Sequence, residues 1–383
     1  HNDCRHPALQ STAPVARLGH ESGFSKDGKT FYATSTAFQA ITAIDVTDPK
    51  SPHAIWQGNV YSHGMSLSDD GNRAYIADPK GNMLILDTSQ IQARKDNPQT
   101  REISRLTWKA ASIPQNAIPF TEHGHPYVLE FDEYTQQTLN PGGDPDQVGA
   151  GHIIDIADEA KPIVVANLRL QIDQPKEHAQ ATADSDPGTG NPAQGYAAHY
   201  CNIPTRVNPK IVACSFIASG LRLFDISDLT HPREIGYYVA PPQPRSENGN
   251  TASDFAMSQP VIVPKRREVW FTDGTSGFYV LRVAKSAWPG AAKRGKGCRE
   301  PTVPQHVRLR SGVRTRVRVR LTEDGQNVRG ATVRLRGAGL KRHARTNRRG
   351  RVIFKLRPSR SGRVTLTSAH CDGRLRVHSK RLR

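Results

Sequence analysis

Residues 198–238 read AHYCNIPTRVNPKIVACSFIASGLRLFDISDLTHPREIGYY. Short runs of Val, Ile, Leu and aromatic residues alternate with Asn-Pro, Ser-Gly and Asp-containing breaks, the punctuation of strands and tight turns. The same phrase occurs elsewhere in the chain. It is split into GHESGFSKDGKTFYAT (19–34) and ITAIDVTDPKSPHAIW (41–56), then into SHGMSLSDDGNRAYIAD (62–78) and MLILDTS (83–89). It returns as HIIDIADEAKPIVVANL (152–168) and as SQPVIVPKRREVWFTDGTSGFYVLRV (258–283). Units of about 40 to 45 residues with four short strands are the mark of propeller blades, which stack around an axis because one small sheet cannot bury its own faces. The expected fold is therefore all-β, a β-propeller with five visible units. Asp27-Gly28 and Asp70-Gly71 suit type I′ hairpin turns. Polar insertions at 135–150, 174–195 and 241–253 lengthen particular units and suit ligand-binding loops on one face.

The charge divides the chain. Of its 53 Lys+Arg and 35 Asp+Glu, 25 basic and only four acidic residues lie in 299–383, so the whole excess of +18 sits in that segment. In VRTRVRVRLTEDG (313–325), Arg314, Arg316, Arg318 and Arg320 alternate with Thr315, Val317, Val319 and Leu321, one wet and one buried strand face. We divide the chain into a propeller (1–285), a linker (286–300) and a basic β-sandwich (301–383). No apolar run reaches the ~18 residues of a spanning helix.

The phrases ITAIDVTDPKSPHAI, HIIDIADEAKPIVV and LRLFDISDLTHPREI resemble the LVIVD repeat of bacterial, mainly extracellular, β-propeller proteins, and the fuller strings resemble actinobacterial members. The resemblance covers roughly residues 2–283. It implies seven blades, so that NDCRHPALQST (2–12), parallel to DLTHPREIG (228–236), would be the end of a blade whose earlier strands are missing. TEDGQNVRGATVRLRG (322–337) and ARTNRRGRVIFKL (344–356) resemble the immunoglobulin-like or carboxypeptidase-regulatory-like sandwiches appended to secreted proteins.

Of five cysteines, Cys201 and Cys214 flank two strands about a turn and suit a disulfide; Cys298 and Cys371 could staple the basic domain, leaving Cys4 without an assigned partner. Buried free thiols are the plainer alternative.

Aligned on their late Asp, three units carry a histidine at one position. Asp45 follows His20 by 25 residues, Asp87 follows His63 by 24, and Asp225 follows His199 by 26. Asn116 and Ser258 are placed there in the other two units, making a polar ring at one mouth of the channel. Three imidazoles suit copper, zinc or iron; a polar lining that satisfies backbone groups is the plainer reading. Asp45, Asp87, Asp155 and Asp225 are read as turn caps rather than ligands. In EHGHPYVLEFDEY (122–134), His123, His125, Glu130 and Asp132 could ligate a metal or hold a catalytic pair, with a surface hairpin preferred. No GxSxG, Walker loop or HExxH occurs, which removes support for the corresponding hydrolase and nucleotide-binding mechanisms.

The reading placed first is a secreted, non-catalytic binding or scaffolding protein with an unidentified protein or small-molecule ligand, its basic domain associating with an anionic cell-envelope polymer. Nucleic acid fits poorly, because Phe354 is the only aromatic residue after Arg299. The alternatives are a metal-dependent, copper-type oxidoreductase using the channel histidines, by architectural analogy with propeller thiol oxidases of the selenium-binding type, and a purely structural surface protein.

Overall fold

The computed structural model describes residues 5–17, 19–36, 38–108, 112–133, 148–184, 195–245, 251–289, 300–303, 309–323, 326–368 and 371–378. The chain divides into two compact units, His1–Ala291 and Ala292–Arg383.

In the first unit the repeats become antiparallel sheets with strands in sequence order. The first sheet holds β1 (Gly23–Phe24), β2 (Thr30–Ser35), β3 (Ala40–Asp45) and β4 (His53–Gly58). The second holds β5 (Gly64–Leu67), β6 (Arg73–Asp78), β7 (Asn82–Asp87) and β8 (Arg101–Thr107), with one helical turn, α1 (Ser89–Gln92), after β7. β9 (Ile113–Glu122), β10 (His125–Glu133), β11 (Gly151–Asp155) and β12 (Ile163–Leu168) form the third. β13 (Ala198–Asn202), β14 (Ile211–Phe216), β15 (Gly220–Asp225) and β16 (Arg233–Tyr238) form the fourth. A hairpin of β17 (Gln243–Arg245) and β18 (Thr251–Ser253) precedes a three-stranded fifth sheet, β19 (Val261–Val263), β20 (Glu268–Asp273) and β21 (Gly277–Arg282). The insertion at 174–195 contains a helix, α2 (Pro175–Ala183), which the strand-dominated reading did not anticipate.

Period-two alternation sorts each strand's side chains into two different cores. On β6 and β7, Ala74, Ile76, Leu84 and Leu86 pack with Tyr32, Ile41 and Ala43 of the first sheet. The intervening Tyr75, Met83 and Ile85 pack with Ala117, Val128 and Ile154 of the third. Leu129, Phe131 and Ile153 of the third sheet meet Val212, Phe216 and Phe224 of the fourth, and Ala213 and Leu223 of the fourth meet Ile262, Val269 and Phe271 of the fifth. Each sheet is buried only by its neighbours, the packing that makes a β-propeller. The outer face of the fifth sheet is open, with Val261, Phe278 and Val280 exposed by 49%, 63% and 52%. A cavity of about 360 Å³, lined in part by Gly23, Met65, Asn116 and Asn202 of β1, β5, β9 and β13, places these strands around the axis.

The hairpin turns differ from type I′. Gly28 and Gly71 adopt φ of +70° and +72°, while Asp27 and Asp70 are not among the residues with positive φ. The Gly28 and Gly71 amides donate to the Ser25 and Ser68 carbonyls. This is a type I turn followed by a left-handed glycine. The Ser25 and Ser68 hydroxyls stabilise it by donating to Asp27 and Asp70.

The second unit is a two-sheet sandwich. One sheet contains β22 (Glu300–Thr302), β24 (Thr315–Glu323), β25 (Gln326–Asn327) and β28 (Arg351–Leu356). The other contains β23 (Leu309–Arg310), β26 (Thr332–Gly337), β27 (Leu340–Arg345), β29 (Gly362–Ser368) and β30 (Cys371–His378). Val317, Val319 and Leu321 share a core with Leu335, Phe354 and Leu366, while Arg316, Arg318 and Arg320 face solvent. Among the described residues no helix is long and apolar enough to cross a membrane.

Candidate site at the channel mouth

His63 directly precedes β5, His20 lies three positions before β1 and His199 lies within β13, so three sheets deliver imidazoles to one end of the axis. The His20 and His63 rings lie 4.4 Å apart between centroids. His63 Nε2 lies 3.3 Å from Glu133 Oε1, and His199 Nε2 lies 2.8 Å from Glu133 Oε2. Glu133, the last residue of β10, therefore sits between two of the three histidines with its side chain 6% exposed. Sequence reasoning missed it: EFDEY offers three carboxyls, and only the strand register shows which one reaches the axis.

Each buried imidazole is held from behind by the next sheet. His63 Nδ1 donates to the Pro114 carbonyl at 2.9 Å, and His199 Nδ1 donates to the Met257 carbonyl at 2.8 Å. A carbonyl can only accept, so both Nδ1 atoms carry the proton and both Nε2 atoms face Glu133. Burial, the dominant cause, pushes the His63 pKa down to about 4, against the opposing pull of Glu133. His63 is thus neutral at pH 7, with a lone pair on Nε2.

The residues following those two carbonyls are Gln115 and Ser258, which shifts the third-sheet position one residue from the expected Asn116. Asn116 instead belongs to a second polar layer, where its Nδ2 and the Gln115 Nε2 each donate to Glu21 at 2.5 Å. Gln115 Nε2 also donates to the Tyr200 hydroxyl at 2.9 Å. Burial and then the Glu21 charge raise the Tyr200 pKa, so this hydroxyl stays neutral. Ser258 is turned to its own sheet, its Oγ accepting from the Thr272 amide at 2.7 Å. The ring therefore does not close as a uniform polar ring.

The repeated aspartates are turn caps. Asp45, Asp87, Asp155 and Asp225 accept the amides of Thr47, Ser89, Ala157 and Ser227 at 2.8, 3.0, 2.9 and 2.9 Å. The hairpin of β9 and β10 is divided: His123 (φ +51°) is on the exposed turn, and His125 pairs with Asp155 at 2.8 Å on the surface. Glu130 and Asp132 are fully buried, so the surface-hairpin reading fails at that end. Cys201 and Cys214, opposed in β13 and β14, form a buried disulfide. Cys4 and Cys298, and the Cys371 side chain, lie outside the described residues, which leaves the second expected disulfide without structural description.

No curated protein matches the chain. Among solved structures, it is similar to a protein from Lactobacillus plantarum (11% identity, TM-score 0.47, 70% of this chain and 69% of that one). It is also similar to the periplasmic gluconolactonase of Pseudomonas aeruginosa (13%, TM-score 0.46, 84% and 85%) and to the β-propeller domain of Myceliophteria thermophila Cps50 (10%, TM-score 0.44, 90% and 100%). Likenesses this distant carry nothing about activity. Residues 63–91 and 215–240, from the second and fourth sheets, match the LVIVD repeat family model, and the chain is thus a β-propeller that contains LVIVD repeats.

Proposed function

We propose that this protein is a secreted binding protein whose propeller takes a divalent transition-metal ion at the channel mouth through His63, His199 and Glu133, with His20 as a third imidazole. The observation that carries the reading is the orientation of the two buried rings. Both donate Nδ1–H to backbone carbonyls and turn Nε2 to one carboxylate. That is the arrangement in which ligating histidines are held by outer partners. The two Nε2 atoms meet different oxygens of the one carboxylate, so a single shared proton satisfies only one of the two contacts. Copper, zinc and iron all accept such donors.

The basic sandwich supports the second half of the proposal, association with an anionic envelope polymer. On β24 and β28, Arg316 is directly opposite Lys355 and Arg320 opposite Arg351; on β26 and β27, Arg336 is opposite Lys341. Like charges so placed repel one another, and a polyanion relieves that cost. The Cys201–Cys214 disulfide is consistent with an oxidising compartment.

The test is metal titration by calorimetry of the full chain stripped with chelator, beside His63→Ala/His199→Ala and Glu133→Gln. One equivalent is expected at the mouth, with affinity falling in either variant by at least the ~10- to 100-fold that loss of an outer partner of a ligand costs. Equal stoichiometry and affinity in folded variants would reject the site. Thiol oxidation by the copper-loaded chain, absent from the histidine variant, would move the protein to the oxidoreductase reading.

A further inference from the structure

A second cluster lies away from the mouth, inside the packing between the second and third sheets. Strand register shows how unusual it is. Counting three residues along the second strand from the pair that ends the third strand, the four other sheets place Ala33, Ile76, Cys214 and Phe271, all buried. The third sheet places Glu130 there, paired with His152. A carboxyl thus occupies a core position that is apolar in every other sheet.

Glu130 and Asp132 are 0% exposed and His152 is 3% exposed. His152 Nδ1 donates to Asn167 Oδ1 at 2.6 Å, which turns Nε2 towards Asp132 Oδ2 at 2.8 Å and Glu130 Oε2 at 3.7 Å. Ser112 Oγ donates to the same Asp132 oxygen at 2.8 Å. Both Glu130 oxygens and Asp132 Oδ1 have no hydrogen-bond partner, and one donor atom from each of the three residues lies within 4.8 Å of the others. Trp108 covers the imidazole with ring centroids 4.8 Å apart.

We propose that Glu130, Asp132 and His152 form a closed structural site for a divalent first-row cation, of the zinc or manganese class, buried between two blades. Two carboxylates and one oriented imidazole are a donor set for such ions. A single proton shared by Glu130 and Asp132 Oδ1 still leaves one Glu130 oxygen without a partner, and a buried oxygen without a partner is costly. The site shares no residue with the channel mouth, because Glu133 points to the opposite strand face from Asp132.

The experiment measures metal by mass spectrometry on the full chain, purified without added metal, in a Glu133→Gln background that removes the mouth carboxylate. One equivalent of metal is expected to survive chelator dialysis of the native protein and to leave on unfolding. Glu130→Ile/His152→Leu reproduces the Ile76 and Leu84 pair of the second sheet, so it is expected to fold and to hold under a tenth of an equivalent. X-ray absorption of the bound metal should show one imidazole among oxygen donors. A folded double variant that keeps the full equivalent, or a metal-free parent whose infrared spectrum shows a protonated carboxyl lost in Glu130→Gln, overturns the proposal. Should the double variant not fold, the parent's metal content and absorption spectrum decide. Failure of the mouth site leaves these readouts unchanged.

Discussion

His63 combines a neutral ring, a backbone hydrogen bond and a carboxylate neighbour, and its titration is the most direct readout of that environment. With its folded pKa pushed from 6.5 down to about 4, the unfolded chain takes up the proton first. Its contribution is therefore fully present above about pH 6.5 and is lost as pH falls towards 4. The loss is on the order of 3 kcal/mol. Asp254 acts in the opposite sense: burial, then the Asp273 charge, raises its pKa to about 7, so its stability contribution is lost as pH rises from 3.8. The useful measurement is therefore the difference in unfolding free energy between the metal-free parent and His63→Gln from pH 4 to 7. It should narrow steadily with acidification, and parallel profiles would refute the burial account of His63. At this scale the sequence was legible for the three histidines, which recur at one repeat position. It was silent on Glu133, because neighbouring carboxyls at 130, 132 and 133 look alike until the alternation of β10 in its sheet assigns their faces.

The elements rest on local devices that repeat with the blades. Aspartates at the ends of the third strands accept amides two residues on, which fixes the turn towards the fourth strand. Asp225 also meets Arg233 at 3.3 Å, so Asp225→Ala should cost about 1 kcal/mol in chemical denaturation, with little change in the denaturant slope. A change below the error of the midpoint would show that the turn forms without its cap. The disulfide ties the inner strand of the fourth sheet to the next strand across 13 residues. Replacing both cysteines by Ala should lower stability by about 3 kcal/mol, read from denaturation of parent and variant under non-reducing conditions. Both devices could be read from spacing, because their partners are near in sequence. The hairpin turn type was misread for a related reason: Asp-Gly alone suits a two-residue loop, whereas the turn begins at Ser25 and Ser68, two residues before the aspartates.

For the molecule as a whole, the charge asymmetry leads to a prediction about salt. If residues 299–383 dock on an anionic polymer, the chain should bind polyphosphate-type or teichoic-type polymer beads at low ionic strength and lose roughly tenfold or more of its affinity when salt is raised several Debye-screening steps. Arg316→Gln/Arg318→Gln/Arg320→Gln should flatten that dependence, and salt-independent binding of the parent would refute electrostatic docking. The sequence by itself determined the repeating all-β architecture, the sorting of apolar and polar strand faces, the basic second unit and the Cys201–Cys214 pair. These depend on period, punctuation and short separations, all local along the chain. Only the tertiary structure decided which side chains meet at the axis, that Asn116 serves a second layer with Glu21, and that Glu130 and His152 stand where the other blades are apolar. Such meetings join residues from different sheets or from opposite strands, and their distances are set by sheet-on-sheet packing and strand register, which no spacing in the linear sequence records.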